Sequence, residues 1–198
     1  MPKRAISLPE IKKEQKLPIV LSKEECKRLF AAPHLLKHRV ILSFIYSTGL
    51  RVNELCNLKI ADVDSSRMMV HVRQGKGKKD RYVPLSPNIL VGLRKYYKAC
   101  KPVVYLFNGQ GIEKPMSAKG LGWIIREARR KAKLQKEPSM HTLRHSYATH
   151  LLEDGLDIVT IKGLLGHEKI ETTMVYLHIA KPNAKNAFSP FDTLYNHK

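Results

Sequence analysis

Four stretches of the chain carry polar residues that a plain hydrophobic pattern does not require. The first is Thr48-Gly49-Leu50-Arg51-Val52-Asn53-Glu54-Leu55, in which Arg51 and Glu54 stand three apart. At that spacing a carboxylate could orient a guanidinium, although an ordinary surface ion pair fits equally well. The second is Gly75-Lys76-Gly77-Lys78-Lys79-Asp80-Arg81. Its glycines let backbone and lysine approach a phosphate closely, but the run lacks the order of a nucleotide-binding P-loop, and a solvated basic turn is the bland alternative. The third is His141-Thr142-Leu143-Arg144-His145, just behind Pro138-Ser139. A histidine and an arginine near a helix N-terminus suit an anionic oxygen. His141 and His145 are four apart, as in a zinc helix, but Thr142 stands where a zinc protease needs glutamate. His145 and His150 also fit as satisfied core histidines. The fourth is Leu164-Leu165-Gly166-His167, followed nine residues later by Tyr176.

These residues need elements to hold them. Ser22 with Glu25 forms a capping box for a helix to about Ala32. Val40, Ile41, Phe44 and Ile45 mark a second helix from Leu35, stopped at Thr48-Gly49, and a short helix follows from Arg51. The period then changes. Met69 to Val72 and Tyr82 to Leu85 read as strands around a glycine-punctuated hairpin tip, and Val103 to Phe107 reads as a third short strand. Helices are expected over Pro87–Cys100, Ser117–Lys133, Thr142–Glu153, Asp157–Leu165 and Ile170–Leu177. In the last of these Ile170, Met174 and Leu177 form the apolar stripe, and Tyr176 falls off it by helical-wheel arithmetic, so it makes a poor pure-core tyrosine. The fold class is α+β, mostly helical, with a small three-stranded antiparallel sheet. Residues 1–20 read as a basic arm or linker, 21–180 as the folded domain and 181–198 as a tail.

The charge narrows the partners. The 198 residues hold 36 Lys and Arg against 17 Asp and Glu, a formal net charge of +19. Such an excess repels itself and favours a polyanion, which argues against a metal cage of carboxylates and against a chain with no nucleic acid or anionic surface as partner. The three cysteines, Cys26, Cys56 and Cys100, form no CxxC; each reads as a small buried apolar residue in a reducing, cytoplasmic setting. No apolar run long enough to span a bilayer and no signal-peptide core is present, so no membrane partner is expected.

Taken together and in this order, Arg51, Lys76, His141-x-x-Arg144, Gly166-His167 and Tyr176 resemble the catalytic set of the tyrosine recombinase (phage integrase) family, in its Xer-like bacterial branch. The resemblance covers about residues 18–180. It implies a tyrosine-recombinase catalytic domain that cuts and rejoins double-stranded DNA through a covalent 3′-phosphotyrosyl link. Members of the family act as oligomers on DNA, commonly tetramers of like or unlike subunits, and the bacterial nucleoid is the expected setting. They usually carry a helical core-binding domain ahead of the catalytic one. Here only residues 1–20 precede it, so that half of the clamp is expected to be missing or supplied elsewhere.

The resemblance assigns roles that chemistry supports. Tyr176 would attack the phosphodiester; a free tyrosine is ionised to only about one part in a thousand at neutral pH, so it needs a base or strong phosphate activation. Arg51 and Arg144 would grip the non-bridging oxygens. His141 and His167 would add hydrogen bonds, and which group takes the tyrosine proton stays open. Lys76 would protonate the departing 5′ oxygen, with Lys78 and Lys79 as rivals for that role and otherwise, with Arg81, as contacts to DNA. Glu54 would hold Arg51 or a neighbouring histidine. The phosphotyrosine conserves the bond energy and cations stand where a metal would, so neither ATP, metal nor another cofactor is expected. A type IB topoisomerase would use nearly the same residues. A DNA-binding relative without activity is disfavoured because every catalytic position is filled, and a rolling-circle relaxase because its histidine metal pair is absent.

Overall fold

The computed structural model describes residues 17–73, 80–111 and 113–180. Lys76, Lys78 and Lys79, the tail 181–198 and most of the basic arm therefore lie outside the described residues.

Local rules set most of the helices. Helix α1 (Lys23–Ala31) starts on the expected box: Glu25 N donates to Ser22 Oγ at 3.1 Å and Ser22 N to Glu25 Oε2 at 2.7 Å. Helix α2 (Leu36–Thr48) stops at Gly49, which takes the left-handed conformation at φ 62°. A short α3 (Val52–Asn57) follows from Arg51. Helix α4 (Pro87–Cys100) opens on proline, and α5 (Ala118–Ala132) buries Leu121, Ile124, Ile125 and Ala128, the face its periodicity indicates. Helix α6 (Met140–Glu153) begins slightly before the expected Thr142, because Ser139 and Thr142 cap each other's backbone N–H groups. Helix α7 (Ile158–Leu165) runs from an Asp157 cap to Gly166, again left-handed at φ 62°.

The sheet has three antiparallel strands, but not the expected three. Strands β1 (Val63–Asp64), β2 (Met69–Val72) and β3 (Arg81–Pro84) form a meander in the order β1-β2-β3. Val103 to Phe107 is not a strand. It touches the preceding segment through one bridge, Lys59 with Tyr105, and through bonds such as Leu106 N to Leu58 O at 2.8 Å. Val103 is exposed and only Leu106 and Phe107 are buried, so the β-branched pair there has no face to pack on. The true third strand is two residues long, too short to show an alternation.

The expected helix over 170–177 is also different. One α-turn, α8 (Glu171–Met174), passes into a 3₁₀ turn, Val175–His178. With three residues per turn, Thr173 and Tyr176 eclipse on one inward face and are 0 % and 1 % exposed, while Met174 and Leu177 point out at 43 % and 48 %. The wheel arithmetic assumed the wrong pitch: Tyr176 is buried. Cys26 and Cys56 are buried as expected, but Cys100 is exposed.

Helix α6 ties the interior together. Met140 and Leu143 join the main core built from α1 to α5 and the sheet, while Tyr147 and Ala148 pack with Ile161, Leu165 and Tyr176 in a second cluster. Its buried polar groups are mostly satisfied: Ser146 Oγ donates to Thr142 O at 2.8 Å and accepts from Leu21 N at 2.9 Å, and His150 Nδ1 lies 2.8 Å from Tyr46 Oη. The two clusters meet where α2 ends. A Cβ on Gly49 would stand 2.5 Å from Tyr147 Cδ1 and would force a left-handed alanine. Gly49→Ala should therefore cost about 2–4 kcal/mol, read as a lower urea midpoint at unchanged slope; an unshifted midpoint would show that α2 and α6 do not meet this tightly.

Candidate active site

A helix leaves its last carbonyls without partners. Here the ends of α2 and α7 point those carbonyls at arginines. Arg144, on α6 and 3 % exposed, donates through Nη1 to Gly49 O at the end of α2 and through Nη2 to Leu165 O, at 2.7 Å, at the end of α7. Arg51 donates through Nη2 to Gly166 O at 2.8 Å. Arg81, from β3, donates through Nε to Leu164 O at 2.9 Å. The left-handed glycines turn the chain so that these oxygens face inward, and a Cβ on Gly166 would stand 3.0 Å from Arg81 Nη1. Backbone partial charge at helix C-termini thus offsets part of the cost of burying three cations.

One carboxylate completes the frame. Glu54, its side chain 7 % exposed, is gripped by Arg81 in fork geometry, Nη1 to Oε1 at 2.9 Å and Nη2 to Oε2 at 2.8 Å. It also accepts from Arg51 N at 2.8 Å and Arg51 Nη1 at 2.9 Å. Burial alone would push the Glu54 carboxyl upward, but the bonds from Arg81 and Arg51 overrule it and hold the pKa at about 2. Three guanidiniums against one carboxylate leave two positive charges. Arg144 stays cationic at neutral pH although burial, and then Arg51, pull its pKa down to about 10.

The histidines around these cations are neutral. His167 is driven down to about 4 by burial and then by Arg144, Arg51 and Arg81. Arg144 can only donate, so His167 Nε2, 3.0 Å from Nη2, accepts, and its Nδ1–H donates to Thr173 Oγ1 at 2.9 Å. His141, at the exposed rim, is lowered by desolvation and by Arg144 and Arg51. His145 is also lowered to about 4, by burial, then His141 and Arg144. Its Nδ1 lies 3.0 Å from Tyr176 Oη. Burial raises the Tyr176 pKa; Arg144 and Arg51 pull against that rise without cancelling it, so the phenol is protonated. Beside the centre an open cleft of about 750 Å³ is lined by Arg51, Asn53, Glu54, Lys59, Arg73 and His141.

The model of the phage integrase family matches residues 20–182. The chain belongs to this family. A putative integrase/recombinase, y4qK, of Sinorhizobium fredii (strain NBRC 101917 / NGR234) is 44 % identical over 187 residues, 94 % of this chain and 61 % of the relative. The crystal structure of XerA recombinase superposes with a TM-score of 0.78 at 33 % identity, covering 96 % of this chain and 68 % of that one. XerH site-specific recombinase, bound to palindromic difH substrate in a post-cleavage complex, gives 0.75 at 26 % identity, covering 89 % and 54 %. The chain thus spans roughly two thirds or less of the proteins it is compared with here.

Against this integrase fold the expected site residues divide clearly. Arg51, Glu54, His141, Arg144, His167 and Tyr176 surround one centre. Arg81 does not stand free to meet DNA: its side chain is 10 % exposed and both its edges are committed to Glu54 and Leu164 O. Glu54 holds two arginines where only one, or a histidine, was expected. Neither His141 nor His167 is the histidine bonded to Tyr176; that is His145, which the sequence offered only as a core or zinc histidine. Thr173, the orienting partner of His167, gave no sequence signal beyond its three-residue offset from Tyr176.

The frame's pH dependence follows from Glu54. Because its folded pKa lies below the ordinary carboxylate value, its contribution is complete above about pH 5 and is lost as pH falls toward about 2. Glu54→Gln should lose about 3 kcal/mol at pH 7, leaving buried guanidiniums uncompensated, and its stability should fall less steeply than the wild type's below pH 5. Parallel stability curves for the two proteins would contradict the assignment.

Proposed function

We propose that this chain cleaves and rejoins double-stranded DNA by a metal- and ATP-independent transesterification, Tyr176 forming a 3′-phosphotyrosyl intermediate, as the catalytic part of a site-specific recombinase. The observation that carries this reading is the Tyr176 hydroxyl, hydrogen-bonded to an imidazole within the electrostatic reach of Arg144 and Arg51. The two-charge surplus of the frame matches a phosphoryl group that gains a second negative charge as it becomes pentacoordinate.

The roles follow from what each side chain has left to give. Arg144 uses Nη1 and Nη2 on the carbonyls Gly49 O and Leu165 O, and among the described residues its Nε–H has no partner; Arg51 likewise keeps Nε–H. These donors would take the non-bridging oxygens. His141, at the rim, would add a bond to the same phosphate. His167 keeps Arg144 in place. Lys76, between β2 and β3 in the sequence, would protonate the leaving 5′ oxygen, and Lys78 and Lys79 would meet flanking phosphates. Tyr176 is 1 % exposed, so a phosphate reaches it only after the groups covering it move. Cleavage is thereby coupled to DNA binding. Assembly of two or four subunits on paired sites, and a core-binding partner for the clamp, complete the reading.

Incubating the chain with a pool of nicked duplexes of random sequence should yield a denaturation-resistant protein–DNA adduct, insensitive to EDTA, from the wild type and none from Tyr176→Phe. An adduct that persists in Tyr176→Phe, through Tyr147 for example, or one that requires Mg²⁺, would overturn the proposal.

A further inference from the structure

Building on that reading, we propose that His145 is a further catalytic residue, the general base that takes the proton from Tyr176 Oη through Nδ1 and returns it on rejoining. Three observations support it. His145 Nδ1 is 3.0 Å from Tyr176 Oη, and no other described side chain is hydrogen-bonded to that hydroxyl. The two rings come from different elements, α6 and the 3₁₀ turn, with centroids 5.8 Å apart and planes inclined at 50°, so the contact is built by the tertiary fold rather than by local sequence. The other two histidines are occupied or distant: His167 Nε2 accepts from Arg144 while Nδ1–H donates to Thr173, and His141 stands at the rim.

Burial and the charges around His145 keep it neutral at rest. His141 and Arg144 face it from its own helix, His167 from the end of α7, and Tyr176 from the turn; Arg144 and Arg51 act on Tyr176 as well. The imidazole is neutral throughout the neutral range, so a lone pair is available. A phenol is a stronger acid than a neutral imidazole N–H, so the hydroxyl donates and Nδ1 accepts, with the ring hydrogen on Nε2. In the forward step the Tyr176 Oη–P bond forms, the P–O5′ bond breaks, the phenolic proton moves to Nδ1, and the leaving oxygen takes its proton from the general acid. In the reverse step the imidazolium gives the proton back to Oη as the 5′ hydroxyl attacks. The transient cation lies beside Arg144, which makes it short-lived and favours its return to neutrality.

The test uses the duplex recovered as the covalent adduct above, resynthesised with sulfur at the bridging 5′ position. A thiolate leaves without a proton, so the acid step is bypassed and the rate reports nucleophile activation. His145→Asn keeps an acceptor oxygen near the Nδ1 position but cannot hold the proton. The wild type should cleave at a rate nearly independent of pH from about 6 to 9. His145→Asn, checked for an unchanged melting temperature, should be about 100-fold slower at pH 7 and should gain about tenfold per pH unit as phenolate forms. Its rate should approach that of the wild type near pH 9. A His145→Asn protein with a wild-type rate and a flat profile would reduce His145 to a hydrogen-bonding anchor and overturn the proposal. A faster variant would make it a restraint on Tyr176 and overturn it equally. If the wild type itself forms no adduct, the transesterification reading fails and the base falls with it; if the wild type cleaves and only the pH profiles coincide, the failure belongs to His145 alone.

Discussion

Two helix ends carry this site. Helices α2 and α7 both finish on a left-handed glycine, Gly49 and Gly166, and the carbonyls released there bind the guanidiniums of Arg144, Arg51 and Arg81. Burying three cations in a chain whose net charge is +19 would be prohibitive without such partners. The carbonyls supply them without being able to ionise, so the frame does not switch with pH in the neutral range. They also fix direction, because each guanidinium is planar and is held at two or more points. A side chain at Gly49 would clash with Tyr147, and one at Gly166 would press on Arg81 and be strained in the left-handed conformation.

Glu54 tunes what the helix ends assemble. It neutralises one positive charge and couples Arg51, just before α3, to Arg81 on β3, so the sheet and the helices share a single ion network. Burial, and then the remaining surplus, lowers the affinity of the nearby histidines for protons. His145 and His167 are therefore neutral, one as acceptor toward Arg144 and one as acceptor toward Tyr176. The same surplus pulls against the burial that raises the tyrosine's pKa. Desolvation and positive field thus act together on the imidazoles and in opposition on the phenol.

Much of this was legible in the residues, for local reasons. The Ser22–Glu25 capping box, the Thr48-Gly49 stop and the apolar face of α5 are short-range signals, and the structure follows them. The motif residues of the site stood out through their order, Arg51, Lys76, His141-x-x-Arg144, Gly166-His167 and Tyr176, rather than through any one stretch alone. What was hidden depends on long-range packing. Val103 to Phe107 has strand-forming residues but no face to bury, while the true edge strand, Val63–Asp64, is too short for any period. The 3₁₀ pitch that turns Tyr176 and Thr173 inward is set by packing on α6 and α7 rather than by composition. Arg81 looked like one more cation of a basic hairpin, and only the fold shows that Glu54 claims it. His145 could not be chosen over His141 or His167 from spacing, because its partner stands 31 residues away on a different element.

The helix ends hold the arginines in place without any phosphate, so a phosphate that enters the site meets guanidiniums already oriented. A crystal structure of the chain with the proposed duplex DNA substrate and vanadate, a mimic of the pentacoordinate phosphoryl group, tests this. Arg144 should still bond Gly49 O and Leu165 O and Arg51 should still bond Gly166 O, while their remaining N–H groups reach the equatorial oxygens. A complex in which either guanidinium has left its helix-end carbonyls to reach the vanadate would contradict it.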